Sequence, residues 1–230
     1  MKFKIILLYL FVFNLNLYCQ QEKDSSYRID NVGQFSKYNY GAWLPGVYED
    51  KSLKGSAYLN DNWEGKHQIR LSSGEPLSIA SLNYNLVKNT LESKISKDSV
   101  FQIDSKNIDY VKLNTKKYKF FNLEGKTVLA NVLYLSPKVT LIKVVNISIS
   151  KATINPLTQQ VTSEAAFVKN EKYLIRKGDR PFENFELKRK GFMNFFAENS
   201  NKLNDFSKNK NLSFESENNI FSIFEFYDSI

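Results

Sequence analysis

A period-two alternation of apolar and polar side chains, which begins near Gly55, constrains the fold of this chain more than any other feature. The clearest segments are HQIRL (67–71), VFQID (100–104), IDYVKL (108–113) and VTLIKVVNISI (139–149). Alternate side chains of a strand point to opposite faces, so the pattern predicts strands with one buried face. Turn signals such as SSGEP (72–76) separate the segments. The sequence therefore predicts a mainly β (α+β) fold, in which an antiparallel meander forms a curved sheet or an open barrel.

The periodicity changes after residue 182, where apolar side chains begin to recur at helical spacing. Phe192, Phe195 and Phe196 fall at positions i, i+3 and i+4. Ser216 can cap a last helix, whose apolar residues have the same spacing: Ile220, Ile223, Phe224 and Tyr227. One apolar stripe on each helix predicts helices packed on the sheet. The predicted organisation is a signal peptide (1–19), an N-terminal arm or linker (20–52), an antiparallel β domain (53–187) and C-terminal helices packed on the β domain (188–230).

The first 19 residues have the composition of a secretory signal peptide. Lys2 and Lys4 precede an unbroken apolar run at residues 5–13, and the small residue Cys19 follows. The apolar run is shorter than the roughly 18 residues that a membrane-spanning helix needs. We therefore expect a periplasmic or secreted protein whose mature chain has no transmembrane span.

Cys19, the one cysteine of the chain, has two possible fates at the end of this segment. Signal peptidase requires a small side chain before the cut, so cleavage between Cys19 and Gln20 fits the pattern. The alternative is lipidation of Cys19, which would make the protein an outer-membrane lipoprotein. Lipidation requires a small residue before the cysteine, and this chain has the bulky Tyr18 there. The sequence favours simple cleavage and keeps lipidation as the alternative.

The formal net charge of +8 raises the question of an anionic partner. Most of the 32 basic residues are lysines, whereas specific nucleic-acid readers depend on arginine. We therefore predict no nucleic-acid partner and leave an envelope protein, a glycan or a lipid as possible partners. The densest basic cluster is Lys112, Lys116, Lys117 and Lys119, with Tyr118, Phe120 and Phe121 interleaved. An edge or half-exposed strand explains this alternation, and attraction to acidic glycans or lipid headgroups is the alternative.

Aromatic and basic residues supply the candidate ligand or interface positions. The segment YNYGAWLPGVY (38–48) gathers aromatic side chains around Trp43. It reads either as a turn-rich arm tucked against the body or as an exposed platform that stacks on sugars or anchors an interface. The complete set of candidates is Trp43, Tyr58, Trp63, Lys117, Tyr118 and Lys119.

The sequence predicts no catalytic, cofactor or metal site. His67 is the one histidine, and it falls in an alternating strand where a surface ring is ordinary. A histidine-based metal cluster is therefore excluded, and neither a P-loop nor a GxGxxG motif occurs. Asp61 and Glu64 beside Trp63 could form the carboxylate pair of a glycoside hydrolase, but a polar turn above a buried Trp63 is the favoured interpretation.

Three segments in order resemble uncharacterised secreted or envelope proteins of Bacteroidota-type Gram-negative bacteria. The segments are GSAYLNDNWEGK (55–66), LNYNL (82–86) and KNKNLSFESENNIFSIFEFYDS (208–229). The resemblance covers residues 54–230 and departs from the family pattern at Ala57, where proline is expected. It implies export and a single β-rich body with a helical end. It transfers no functional residue.

Three hypotheses for the function follow, and each predicts a different structure. The first is an exported non-catalytic envelope or secreted protein that acts by binding or structure, and it predicts a filled core with an exposed aromatic or basic patch. The second is a carrier of lipids or small apolar ligands, which predicts an apolar cavity between the sheet and the C-terminal helices. The third is a glycan hydrolase, which predicts a cleft holding the carboxylates of Asp61 and Glu64 beside Trp63.

Overall fold

The structure is a computed structural model that describes residues 41–96 and 98–230. The predicted signal peptide, Cys19 and the first part of the predicted arm lie outside these residues. The strands are β1 Gly41–Leu44, β2 Glu64–Leu71, β3 Pro76–Ser81, β4 Asn83–Asn85, β5 Thr90–Ser96, β6 Ser99–Ile103, β7 Ile108–Leu113, β8 Lys116–Leu123, β9 Lys126–Leu135, β10 Val139–Ser150, β11 Thr153–Ile154, β12 Val161–Ser163, β13 Ala166–Lys177 and β14 Glu183–Phe185. The α-helices are α1 Arg189–Phe195, α2 Ser200–Asn209 and α3 Glu217–Ser229.

The strands form two principal antiparallel sheets. The large sheet has the order β14-β13-β10-β9-β8-β7-β2-β3, and the small sheet has the order β1-β6-β5-β4. Strands β10 and β13 pair from Val139↔Lys177 to Ser150↔Ala166, and β11 and β12 form a separate ribbon beyond them. In the described part of the chain both sheets are open, with β14 and β3 as the edges of the large one. The predicted fold class, mainly antiparallel β with a C-terminal helical segment, is confirmed.

One face of the large sheet is covered by the small sheet and by the helices. The inter-sheet core contains Ile69, Leu82, Tyr84, Phe101 and Val111, all nearly inaccessible to solvent. The helix core joins the large sheet to the three helices through Leu141, Ile175, Phe192, Phe196, Leu203, Ile220, Ile223 and Phe224. Burial of these apolar side chains is the main force that holds the layers together.

The two faces of the large sheet follow the predicted alternation. On β10, Leu141, Val145 and Ile147 enter the two cores, whereas Ile142 and Val144 lie on the opposite face. That opposite face, named the outer face here, carries a smaller apolar cluster around Ile142, Val144, Ala130 and Leu174.

The structure differs from the predicted boundaries at the N-terminal arm. Residues 41–44, predicted as arm or linker, form strand β1 and pair with β6 from Gly41↔Ile103 to Leu44↔Val100. A glycine is needed at position 41, because a Cβ atom there would collide with the carbonyl oxygen of Gln102. Conversely, the alternation at SAYLN (56–60) gives no strand and only the isolated bridge Tyr58↔Asn85. The sequence pattern could not show either outcome, because both depend on partners distant in the chain.

No helix in residues 41–96 and 98–230 combines the length and the apolar character that crossing a membrane requires.

Candidate functional site

The most prominent concave surface near the predicted site residues is a groove along segment 45–63, named the aromatic groove here. Its volume is about 950 Å³. Segment 45–63 forms one wall, and the other contributions come from Lys94 of β5, Asp98 in the following turn and Phe167 of β13. Tyr58 and Trp63, both predicted candidates, line this groove together with Asp61.

Tyr58 anchors the wall of the groove to the small sheet. Its ring is 2% exposed, and its Oη donates a hydrogen bond of 2.7 Å to Glu92 Oε2. The same Oη accepts a hydrogen bond of 2.9 Å from the backbone N–H of Tyr48. The ring centroids of Tyr58 and Trp63 lie 4.6 Å apart. The two predicted aromatic residues and the backbone at Tyr48 are therefore held in one rigid unit.

Glu92 is the buried carboxylate on which this unit depends. It lies on β5 with 1% exposure and accepts hydrogen bonds from Tyr58 Oη and, at 2.6 Å, from Thr90 Oγ1. Burial raises the pKa of Tyr58 well above its ordinary value of 10, and the hydrogen bond to Glu92 raises it further. Tyr58 therefore remains a protonated donor at every physiological pH. A buried carboxylate needs such donors, because burying a charge without partners costs far more than the roughly 2–7 kcal/mol of an unpartnered neutral polar group.

The rest of the groove combines aromatic rings with charged side chains. Lys88 Nζ lies 4.9 Å from the centroid of the Tyr48 ring. Asp50 accepts hydrogen bonds from the Ser52 hydroxyl and the Ser52 backbone N–H, and these bonds lower the pKa of Asp50. The groove also includes the acidic residues Glu49, Asp61 and Asp98 and the basic residues Lys51 and Lys94. Flat apolar rings beside hydrogen-bond acceptors suit a ligand that presents an apolar face and several hydroxyl or amine donors.

The geometry of Asp61 and Glu64 bears on the glycan hydrolase hypothesis. The Asp61 side chain is 91% exposed, and Oδ1 lies 3.1 Å from Lys169 Nζ. Glu64, at the start of β2, is exposed as well. The general acid of a glycosidase is kept protonated by apolar surroundings. Asp61, which is exposed and ion-paired, lacks such surroundings. Asp61 lines the groove and Glu64 does not, so the groove does not hold both carboxylates, as the glycan hydrolase hypothesis requires.

Trp43 is not among the residues that line the aromatic groove. It belongs to the edge strand β1, is 53% exposed, and packs edge-to-face on Phe101 with ring centroids 5.1 Å apart. The structure therefore does not bring Trp43 together with Trp63, although both were predicted candidates.

The predicted cluster Lys117, Tyr118 and Lys119 is divided between the two faces of β8. Tyr118 is 7% exposed in the inter-sheet core, and burial raises its pKa to about 12. Lys117 and Lys119 project from the outer face. Lys117 Nζ lies 4.4 Å from the Tyr110 ring centroid, and Lys119 Nζ lies 2.7 Å from Asp109 Oδ1. The two lysines are accessible to a ligand, whereas Tyr118 is a core residue.

His67 corrects the sequence interpretation of a surface ring. It is 3% exposed, its Nε2 lies 2.9 Å from the carbonyl oxygen of Trp63, and its Nδ1 accepts a hydrogen bond of 3.2 Å from the N–H of Asn114. Burial lowers its pKa. The neutral tautomer with the proton on Nε2 satisfies both contacts. His67 is thus a structural link between the chain at Trp63 and the β7–β8 turn, and burial is favoured because β2 points this side chain into the sheet interface.

Sequence reasoning missed Glu92 and Phe167 as parts of the site, and it included Tyr48 only as the end of the aromatic segment 38–48. Glu92 stands in TLESKI (90–95), where a polar residue gives no sign of burial. Only the pairing of β5 with both β4 and β6 shows that this strand lies inside the small sheet. Phe167 reaches the groove because the backbone of Lys54 pairs with β13 at Ala166.

Comparison of the chain with protein-family models, with curated proteins and with solved structures gave no significant match.

Proposed function

We propose that this chain is an exported, non-catalytic binding protein of the periplasm, envelope or secreted space, and that the aromatic groove is its binding site. The observation that carries the proposal is the anchored set of rings and carboxylates built on Tyr58, Trp63 and Glu92. The basic and apolar N-terminal segment of residues 1–19 supports the export part of the proposal.

A groove is favoured over an internal cavity as the binding site because aromatic side chains fill the interface between sheet and helices. Phe192 and Phe224 are fully buried there, with ring centroids 5.6 Å apart, and Phe214 lies 4.8 Å from Phe192. The carrier hypothesis places its ligand in this position. The packed rings occupy the volume that an apolar ligand would need.

A neutral oligosaccharide is the ligand class that fits the groove best. A sugar ring has an apolar face, which stacks on aromatic rings, and hydroxyl donors, which carboxylates accept. The groove offers Tyr48 and Trp63 for stacking and Glu49, Asp50 and Asp98 for hydrogen bonding. The same carboxylates disfavour an anionic ligand through like-charge repulsion.

The two tryptophans of the chain provide a matched test of this site. In a Trp43→Phe variant, all tryptophan fluorescence comes from Trp63, and titration with cellohexaose or chitohexaose should shift its intensity. In a Trp63→Phe variant, the remaining Trp43 should not respond. The proposal is contradicted if Trp63 is silent to both sugars and native mass spectrometry of protein purified from the producing host finds no bound saccharide.

A further inference from the structure

The outer face of strands β2, β7 and β8 carries a regular array of cations with polar residues between them. This surface is named the basic face here. Its members are Lys66, Gln68, Arg70, Tyr110, Lys112, Lys117 and Lys119. On β2, the buried residues His67, Ile69 and Leu71 alternate with these outward positions. The basic face is therefore a direct product of the alternation in the sequence.

Strand register places the members of the basic face in rows across the sheet. Lys112 is opposite Gln68 on one side and opposite Lys117 on the other. Tyr110 is opposite Arg70, and Lys117 Nζ lies over the Tyr110 ring at 4.4 Å. Neighbouring strands are about 4.8 Å apart, and alternate residues along a strand are about 7 Å apart. The charges thus form a flat grid with polar side chains between them.

The charge of this grid is strongly unbalanced. Within segments 66–70, 109–112 and 117–119, Asp109 is the one acidic residue. It forms an ion pair with Lys119. A hydrogen bond from Lys119 lowers the pKa of Asp109, and the charges of Lys117 and Arg70 lower it further. Lys119, Lys117 and Arg70 therefore all interact with the same carboxylate, Asp109. Lys66 and Lys112 are exposed on the same face.

We propose that the basic face binds a linear acidic polysaccharide. Charge complementarity requires an anionic partner, and the regular rows suit an extended chain with evenly repeated carboxylates or sulfates. Gln68 and Tyr110, both half-buried, place hydrogen-bonding groups between the cations. Lysines, as point charges, accept anions without the fixed fork geometry by which arginine selects phosphates and bases.

The exposed apolar residues of the described chain argue against a membrane surface as the occupant. Binding at a lipid interface adds inserted apolar side chains to charge attraction. The large apolar residues that are exposed in the described chain lie on other elements, such as Trp43 on β1, Ile149 on β10 and Phe221 on α3. Strands β2, β7 and β8 contribute none of them. The basic face can therefore contact a hydrated polyanion, but it presents no large exposed apolar side chain that could insert into a lipid surface.

The test is binding of alginate, a polyuronate, to protein produced from the full-length gene, measured by isothermal titration calorimetry at low and high salt. Dextran of matched length is the neutral control. The Lys112→Gln/Lys117→Gln variant should lose about 20- to 30-fold in affinity, because each lysine near a polyanionic surface contributes about fivefold. The Lys202→Gln/Lys210→Gln variant removes the same charge from exposed positions at helix α2 and should keep its affinity. High salt should weaken binding by screening.

Three results would overturn the proposal: no alginate binding at low salt, equal losses in the two double variants, or equally tight binding of phosphatidylglycerol vesicles or single-stranded DNA at this face. Because Lys117 packs on Tyr110, the single Lys112→Gln variant serves if the double variant does not fold, with an expected loss of about fivefold. The Trp63 fluorescence test reads a different site, so each proposal can fail alone.

Discussion

Lys143 Nζ lies 2.8 Å from Glu217 Oε1, so a buried cation on β10 holds the first residue of helix α3. Tyr173 Oη donates a hydrogen bond of 2.6 Å to the same oxygen, and Glu171 lies 3.4 Å from Lys143. The Lys143 side chain is 9% exposed and the Glu217 side chain is 32% exposed. This polar contact fixes where α3 begins on the sheet, beside the apolar contacts of the helix core.

Removing either partner of this pair should destabilise the protein by unequal amounts. Glu217→Ala leaves the buried ammonium of Lys143 with only the longer contact to Glu171, and we expect a loss of about 2–4 kcal/mol. Lys143→Met removes the buried charge and fills its volume, so we expect a loss of about 1–2 kcal/mol. Urea unfolding followed by far-UV circular dichroism measures both. Glu215→Ala and Lys172→Met, at exposed positions, are the matched controls. A larger loss for Lys143→Met than for Glu217→Ala would contradict this account.

Acid should weaken the same contact. Burial raises the pKa of the Glu217 carboxyl, but hydrogen bonds from Lys143 and Tyr173 outweigh burial and hold the pKa below its ordinary value of 4.5. A lowered pKa in the folded state stabilises the protein above the unfolded pKa, and this stabilisation is lost as pH falls through the folded pKa. The free energy of unfolding should therefore decrease below pH 4.5.

The Glu217→Gln variant tests this pH dependence. Glutamine does not titrate, so the decrease in stability below pH 4.5 should be smaller in the variant than in the original protein. Asp109, whose pKa is lowered chiefly by its hydrogen bond with Lys119, contributes to the slope in both proteins. Urea unfolding at pH values on both sides of 4.5 is the measurement. Identical slopes for the two proteins would show that Glu217 is not a source of acid sensitivity.

The buried hydrogen bond between Tyr58 and Glu92 should matter for stability and for the shape of the groove. Tyr58→Phe removes the 2.7 Å bond and also leaves the N–H of Tyr48 without its acceptor. We expect a loss of about 1–3 kcal/mol, since the buried acceptor Glu92 loses one of its two donors. Tyr110→Phe, on the outer face, is the control. Thermal unfolding and Trp63 fluorescence together report both effects, and an unchanged melting temperature for Tyr58→Phe would refute the anchoring role.

The maturation of the chain at Cys19 can be read from intact mass after expression in a Gram-negative host. Cys19 lies outside the described residues, so this prediction comes from the sequence. We expect a soluble mature form that starts at Gln20, because Tyr18 is too bulky for the position before a lipidated cysteine. A diacylglyceryl-modified Cys19 in the membrane fraction would replace this expectation with an outer-membrane lipoprotein.

The sequence predicted most of the fold because alternation reports burial directly. Ile69 and Leu71 on β2 show this, and so do the helical stripes at Phe192 and Ile220. The division into two sheets was not predictable, since it depends on pairings such as β1 with β6 and β2 with β7. Local pattern carries no information about a partner strand far along the chain.

The candidate site was predictable in part, and the reason lies in burial of polar residues. Tyr58 and Trp63 were singled out as aromatic candidates, and the structure places them together. Glu92 and Lys143 are buried among strands in which charged residues normally mark the solvent side. Their burial is possible only because Tyr58 and Glu217 meet them from distant segments.

The order of strands in the large sheet also has a consequence for the order in which the strands fold. Strands β7, β8 and β9 each pair with the next strand of the chain through a short turn, so the β7–β10 meander can form early at small loop-closure cost. Strand β2 can pair with β7 only after the long segment between them, which contains most of the small sheet, has become compact. The β2–β3 hairpin closes through its own short turn, so pulsed hydrogen exchange during refolding should show protection of β8–β10 before protection of the β2 amides that bond to β7. The aromatic groove, which depends on the small sheet, would then be among the last parts of the protein to form.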